Sequence, residues 1–109
     1  MNKETTLIYI TVGSAEEAKT IGRKLVEERL AASVNIFDNI HSIYWWGGQM
    51  QEEPEAVLIA KTKTVLVSEL IEKVKAMHSY ELPCIVSLPI ADGHGPFLDW
   101  IREETKRTV

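Results

Sequence analysis

The apolar residues of this 109-residue chain alternate between two spacings. A run of β-branched and aromatic residues over 6–12 is typical of a strand, and apolar residues three and four apart then predict a helix over 14–30. Ser14 and Glu17 have the spacing of a capping box, in which each side chain accepts from the backbone N–H of the other residue. The chain is therefore predicted to begin with a strand and a helix.

A hairpin is predicted next. The second strand is expected in two parts, 32–36 and 42–46, because its apolar phase shifts between them. Such a shift predicts a β-bulge or kink near Asp38. The glycine pair at 47–48 is typical of a tight hairpin turn. Residues 55–62 then predict a third strand that pairs antiparallel with the second.

The rest of the chain predicts a helix over 65–78, a strand over 84–90 and a short last helix. Pro89 suggests a strand end or an edge strand, and Pro96 suits the first turn of the last helix. The order β-α-β-β-α-β-α is the split βαβ, or ferredoxin-like, pattern of an α+β fold. Right-handed crossovers would place both long helices on one face of a four-stranded antiparallel sheet.

The third predicted strand is apolar on both faces, since Val57 and Ile59 alternate with Ala56, Leu58 and Ala60. A strand of this kind favours burial on both sides. A chain of this length forms one domain with one core, and its two long helices cover only one sheet face. We therefore expect further copies of the chain to cover the other face.

Composition and charge exclude several classes of protein. Apolar residues make up 45% and charged residues 26% of the chain, which is ordinary for a globular protein. The net charge is −4 and no basic run is present, so nothing supports a nucleic-acid partner. Cys84 is the only cysteine, and no apolar run reaches the roughly 18 residues of a membrane span. With no signal-peptide pattern at its start, we expect a cytoplasmic protein without a membrane partner.

The densest group of chemically active side chains is His78, Tyr80 and Glu81, which place an imidazole, a phenol and a carboxylate within four positions. This set suits acid–base chemistry or cation binding. It suits equally a helix C-terminus where the histidine favours the dipole and the tyrosine packs. His41 and His94 are interpreted as surface or capping residues.

Four further groups are interpreted structurally. Lys61 is taken as a solvated strand-end charge and Cys84 as inert core. Tyr44 and Trp46 share one strand face and are taken as core or subunit interface. The acidic cluster after the hairpin is interpreted as a solvated face; it consists of Glu52, Glu53 and Glu55.

Six segments, taken together and in register, carry a resemblance to a known family. They are residues 28–35, 42–46 with Gly48, 61–62, 78–83, 88–90 and 98–101. With these segments the chain resembles the CutA (CutA1) family of divalent-cation tolerance proteins over nearly its whole length. The resemblance implies that residues 1–109 form a single CutA-like domain with a ferredoxin-like fold.

The resemblance also implies a compact homotrimer, similar in assembly to the PII signalling trimers, in which extended second and third strands pair between subunits. The family is linked to tolerance of copper and other divalent cations, and no reaction is established for it as a class. We therefore expect a protein that responds to divalent metal by binding it and is not an enzyme.

By resemblance, a lateral cleft between subunits would collect Tyr44, Trp46, Lys61, His78, Tyr80 and Glu81. The family often has Cys at Ser33 and usually has Pro at Ser79. Some members carry copper-linked Cys and His residues where this chain has Ile10 and Met77, so only His78 remains of that set. We expect a weakly bound divalent ion, such as copper, at His78 and Glu81.

Three other functions stay open. The chain could be a PII-like sensor that binds a small anionic ligand, with Lys61 as the anion contact and Tyr44 or Tyr80 as the stacking surface. It could be a structural or anchoring trimer. It could also be an enzyme that uses His78 and Glu81 as acid and base, although the signature motifs of hydrolases, nucleotide-binding proteins and zinc proteases are absent from the sequence.

Overall fold

The computed structural model describes residues 4–107, which form a four-stranded antiparallel sheet with the strand order β2-β3-β1-β4 and three α-helices. This confirms the predicted α+β split βαβ arrangement. In chain order the elements are β1 (Thr5–Val12), α1 (Ala15–Glu27), β2 (Ser33–Trp46), β3 (Gln49–Lys63), α2 (Val67–Met77), β4 (Ile85–Pro89) and α3 (Gly95–Glu104).

Helix α1 begins as the sequence predicts and ends earlier. Ser14 Oγ accepts from the backbone N–H of Glu17 at 3.1 Å. At the other end Arg29 has a φ of 58°, and the backbone N–H of Leu30 donates to the carbonyl of Leu25 at 2.9 Å. A left-handed residue with this hydrogen bond ends a helix. The predicted end at residue 30 is therefore wrong, because Leu30 is buried beside the helix without belonging to it.

The predicted bulge and turn of the β2–β3 hairpin are both confirmed. The register of β2 against β3 shifts between Phe37 and Ile40, and Asn39 has a φ of 57°. Gly47 and Gly48 have φ values of 59° and 76°. Two successive positive φ values are typical of the tight turn whose twist matches that of the strands.

Strand β3 begins at Gln49, earlier than the predicted start at residue 55. Its pairing with β1 begins only at Ala56, so residues 49–55 pair with β2 alone. Pro54 is tolerated there because one side of the strand has no hydrogen-bonded neighbour. Residues 40–55, which extend beyond the four-stranded part of the sheet, are called the hairpin arm below.

One face of the sheet packs against α1 and α2, as predicted. The core side chains come from alternate positions of the two central strands and from the inner faces of the helices. The largest of them are Ile8, Ile10, Val12, Leu58, Ile21, Leu25, Leu70 and Val74. Helix α3 packs against β3 and β1, with Leu98 and Ile101 buried.

The other face of the sheet retains exposed apolar side chains. Strand β4 pairs only with β1 and ends at Pro89, so it is the predicted edge strand. Its Val86 and Leu88 lie opposite Tyr9 and Leu7, on the face away from the core, and each is about half exposed. This face is where the sequence predicts further copies of the chain.

The close approach of α1 to the sheet can be tested at Gly22. A Cβ atom there would lie 3.0 Å from Val34 Cγ2 and 3.2 Å from Leu58 Cδ1. We expect Gly22→Val to lower the free energy of unfolding by about 1–3 kcal/mol, since overpacking forces neighbours to shift. Arg23→Val is the control, because it places the same residue at an exposed position of the same helix. Urea unfolding of both variants measures the difference, and equal stabilities would contradict this account of the packing.

Candidate functional site

A groove of about 760 Å³ lies between the hairpin arm, β1 and the loop that joins α2 to β4. We call it the arm groove. Its lining combines aromatic rings, three carboxylates and the thiol of the only cysteine. Its lining residues include Tyr9, Tyr44, Trp45, Trp46, Glu53, Glu55, Tyr80, Glu81 and Cys84.

Two tyrosine–carboxylate hydrogen bonds organise the groove. The Tyr80 hydroxyl donates to Glu55 Oε2 at 2.7 Å and joins the α2–β4 loop to the arm, while the Tyr44 hydroxyl donates to Glu53 within the arm. Glu55 is only 8% exposed, so its interpretation as part of a solvated face is wrong. Alternate residues of a strand share a face, so Glu53 and Glu55 lie on the same face of β3 as Val57. This alternation is the sequence signal that could have located both carboxylates.

His78 lies next to Tyr80 and fixes the loop between α2 and β4 to β1. Its side chain is fully buried. Ring atom Nε2 donates to the backbone carbonyl of Thr11 at 2.7 Å, and Nδ1 accepts from the backbone N–H of Tyr80 at 3.1 Å. The proton is therefore assigned to Nε2 from the hydrogen bonds. The centre of the imidazole ring lies 4.8 Å from that of Tyr80, so His78 also supports this ring.

The first turn of α1 holds the same loop. The Glu17 carboxylate accepts from the backbone N–H and from the hydroxyl of Ser79, both at 2.9 Å. The capping box predicted for Ser14 and Glu17 is thus wrong in its second half, because Glu17 reaches the loop instead of its own helix end.

The structure brings four of the six predicted cleft residues to the groove: Tyr44, Trp46, Tyr80 and Glu81. Lys61 does not line it within one chain. Its ammonium group donates to Ser33 Oγ at 3.4 Å and to Asn35 Oδ1, and burial lowers its pKa.

The interpretation of Cys84 as an inert core residue is wrong. It is exposed and lines the groove, with its carbonyl accepting from the backbone N–H of Thr11 at 3.3 Å. Cys84 comes one residue before the edge strand β4 begins at Ile85, so it lacks the flanking strands that would bury a residue within the sheet.

The two predicted metal ligands differ in their surroundings. Glu81 is exposed and lines the groove, whereas both ring nitrogens of His78 already have hydrogen-bond partners. Within residues 4–107, no three His, Cys, Asp or Glu side chains are arranged to hold a metal ion. The pair His78 and Glu81 stays a prediction.

Both groove tyrosines are held in the neutral form. The hydrogen bond to Glu53 raises the pKa of Tyr44 to about 12. Burial, and then the hydrogen bond to Glu55, raises the pKa of Tyr80 above its ordinary value. Neither tyrosine therefore contributes a charge to the groove near neutral pH.

Comparison with known proteins assigns the family. The family model described as CutA1 divalent ion tolerance protein matches residues 6–104. The chain belongs to the CutA1 family. Its relatives include the "Divalent-cation tolerance protein CutA" of Thermus thermophilus, 52% identical over 99 residues that cover 91% of this chain and 96% of the relative. The protein of the same name from Archaeoglobus fulgidus is 49% identical over 96 residues, which cover 88% of this chain and 93% of the relative.

Solved CutA1 structures share the fold. The Thermus thermophilus structure superposes with a TM-score of 0.91 at 50% identity, covering 94% of this chain and 99% of the other. The CutA1 structure from Oryza sativa gives 0.93 at 38% identity and covers 96% of each chain. The recognised family and the ferredoxin-like arrangement predicted from the sequence are thus both confirmed.

The tyrosine–carboxylate pairs predict a loss of stability at alkaline pH. A tyrosine in the unfolded state ionises at about pH 10. Native Tyr44 keeps its proton to about pH 12. Between these values the unfolded state has released a proton that the native state retains, so the free energy of unfolding falls as the pH rises.

We expect Tyr44→Phe to reduce this pH dependence, measured by urea unfolding at a series of pH values. The same variant near neutral pH is the control, because tyrosine is then neutral in both states. A slope above pH 10 that is identical in wild type and Tyr44→Phe would contradict the raised pKa.

Proposed function

We propose that this CutA1-family protein contributes to divalent-cation tolerance by binding cations in the arm groove, and that it does so without catalysing a reaction. The supporting observation is the charge of the lining. Glu53, Glu55 and Glu81 face the groove, and no Lys or Arg side chain of residues 4–107 is among its lining. A cleft lined by one sign of charge concentrates the opposite ion, and carboxylate oxygens are good ligands for divalent metals.

Glu81 is the proposed first ligand because its carboxylate is exposed at the groove. His78 is the proposed second ligand, and to bind metal its ring must leave either the Thr11 carbonyl or the Tyr80 N–H. Breaking one such hydrogen bond costs about 0.5–1.5 kcal/mol. The proposal is therefore weak binding, with Cu²⁺ favoured since it accepts both imidazole and carboxylate ligands.

The anionic-ligand alternative has less support. Its cationic contact, Lys61, lies outside the groove lining and already donates to Ser33 and Asn35. An anion entering the groove would meet three carboxylates, and like charges repel in a cleft of low dielectric. A structural or anchoring role remains as the outcome in which no cation binds.

The metal proposal is tested by calorimetric titration with Cu²⁺. We expect Glu81→Gln and His78→Ala each to weaken binding by several-fold, since each removes a proposed ligand. Glu103→Gln and His94→Ala are matched controls that remove the same groups from positions outside the groove. Affinities that are equal in wild type, Glu81→Gln and His78→Ala would contradict the proposed ligands.

Electron paramagnetic resonance separates the two roles of His78. A ring that binds copper gives nitrogen hyperfine coupling, which His78→Ala would abolish and His94→Ala would retain. If the coupling is absent from wild type while Glu81→Gln still weakens binding, His78 only supports the loop and its assignment as a ligand is wrong.

We also propose that the functional unit is a homotrimer, as the resemblance implies. Support comes from the apolar side chains that one chain leaves exposed on the face away from α1 and α2. Phe37, Val86 and Leu88 are each about half exposed there. Apolar surface of this kind is typical of subunit interfaces.

Light scattering tests the assembly. We expect wild type to have three times the 12.3 kDa mass of one chain, and Leu88→Lys to lower that mass by placing a charge in the apolar interface. Ser87→Lys is the control, because Ser87 is exposed on the opposite face of the same strand. A monomeric wild type would contradict the trimer, and an unaffected Leu88→Lys would exclude this face from the interface.

We infer a cytoplasmic location. The inference is supported by the exposed thiol of Cys84, which has no cysteine partner within the chain, because cytosolic thiols are kept reduced. Within residues 4–107 no helix has both the length and the apolar character needed to cross a membrane. The solved Archaeoglobus fulgidus relative is named a periplasmic divalent cation tolerance protein and an Oryza sativa relative is named chloroplastic, so the names of relatives differ in compartment.

A further inference from the structure

The loop between β4 and α3 contains the only Asp–Gly dipeptide of the sequence, Asp92–Gly93. Both residues are exposed and lie outside the strands and helices. Asp92 Oδ1 accepts from the backbone N–H of Gly93 at 2.8 Å. The carboxyl group is therefore turned towards the backbone nitrogen that follows it, in a segment that no strand or helix holds in a regular geometry.

This contact brings together the two groups that form a succinimide ring. The Gly93 nitrogen attacks Asp92 Cγ, so an N–Cγ bond forms, the nitrogen loses its proton, and the carboxyl hydroxyl leaves with that proton as water. A second water then opens the ring. Its attack at Cγ restores aspartate, whereas its attack at the main-chain carbonyl breaks the original peptide bond and leaves isoaspartate, in which the backbone runs through the side chain. One water is released and one is consumed, so the change is an isomerisation.

The other two aspartates of the chain each lack one requirement of this reaction. Asp38 makes the same contact, because its Oδ1 accepts from the backbone N–H of Asn39 at 2.7 Å. Asn39, however, carries a side chain beside the attacking nitrogen and lies within β2. Asp99 lies inside α3, where the helical hydrogen bonds fix the following amide. Only Gly93 combines the contact with the backbone freedom of a residue that has no Cβ atom.

We propose that Asp92 is a modification site, at which the loop itself converts aspartate to isoaspartate through a succinimide on Gly93. The reaction needs only the two residues and water. The product carries one additional backbone methylene group, inserted just before His94, the N-cap residue of α3. The proposal goes beyond the proposed cation function, because it involves neither the arm groove nor a metal ion.

The position of the dipeptide connects this modification to the packing of α3. A Cβ atom at Gly93 would lie 3.4 Å from Leu98 Cδ2, so the loop backbone runs close to the first buried side chain of the helix. A longer backbone at this point moves the start of α3 relative to the core, where Leu98 and Ile101 are buried. Because close-packed interiors transmit such shifts as strain, we expect isoaspartate at position 92 to lower the midpoint of urea unfolding.

The test is incubation of the full chain in heavy-oxygen water at mildly acidic pH, where the protonated carboxyl group loses water more readily. Opening of the ring adds one solvent oxygen whichever carbonyl is attacked, and mass spectrometry with electron-transfer fragmentation distinguishes isoaspartate from aspartate. We expect both signals to accumulate at Asp92 several-fold faster than at Asp38 or Asp99. Urea unfolding before and after incubation measures the effect on α3.

Two variants identify the route. Gly93→Ala adds a Cβ atom beside the attacking nitrogen, and Asp92→Glu retains the charge but would have to close a larger ring. We expect each to slow formation of the product at position 92 by several-fold. Gly95→Ala and Asp99→Glu are the matched controls, because they make the same changes nearby and outside the dipeptide, and a Cβ atom at Gly95 meets open space. Both controls should leave the rate at Asp92 unchanged.

Each contrary result overturns a stated part of the proposal. If neither isoaspartate nor heavy oxygen accumulates at position 92, the loop does not modify itself. If the three aspartates react equally fast, or if Gly93→Ala reacts as fast as wild type, the contact with glycine does not direct the reaction. If the converted protein unfolds at the same urea concentration as the fresh protein, the change does not reach α3. None of these results depends on copper binding, so this proposal and the metal proposal fail separately.

Discussion

Strand β3 pairs with β1 and with β2 over stretches of different length. This difference is the constraint on which the rest of the structure depends. On one side β3 pairs with β1 only over residues 56–63, and on the other it pairs with β2 from residue 49 onwards. The difference leaves the hairpin arm outside the four-stranded part of the sheet. An arm of this kind needs contacts from elsewhere, because two strands alone are marginally stable in water.

The alternation of β3 then divides its side chains between two purposes. Ala56, Leu58 and Ala60 pack against the helices and form the core. The odd positions face the other way, where Val57 is nearly buried and Glu55 and Glu53 continue the same face into the groove. One strand therefore stabilises the fold with one face and supplies the charges of the site with the other.

The α2–β4 loop completes the site through three separate anchors. Glu17 holds Ser79, the Thr11 carbonyl holds His78, and Glu55 holds the Tyr80 hydroxyl. These acceptors come from α1, β1 and β3, so the loop is fixed to three elements that share the core. Side chains fixed in this way are pre-organised for a ligand, which lowers the entropic cost of binding.

Much of the fold follows from the sequence because local patterns determine it. The period of two, the bulge and the glycine pair at 47–48 predict the β2–β3 hairpin, and the element order predicts the sheet. The end of α1 is not predictable from periodicity, since Leu30 continues the apolar pattern after Arg29 has left the helix. The start of β3 is obscured by a charged, proline-containing run whose pairing depends on another strand. The site was only partly predictable for the same reason: Glu55 becomes a buried acceptor only because Tyr80 approaches it from 25 positions away, and no local pattern reports that contact.

If the arm groove is a cation site, anomalous diffraction from a crystal grown with Cu²⁺ tests it most directly. We expect an anomalous peak within the arm groove, in contact with the Glu81 carboxylate. Copper found only at His41 or His94, with the groove free of metal, would contradict the assignment.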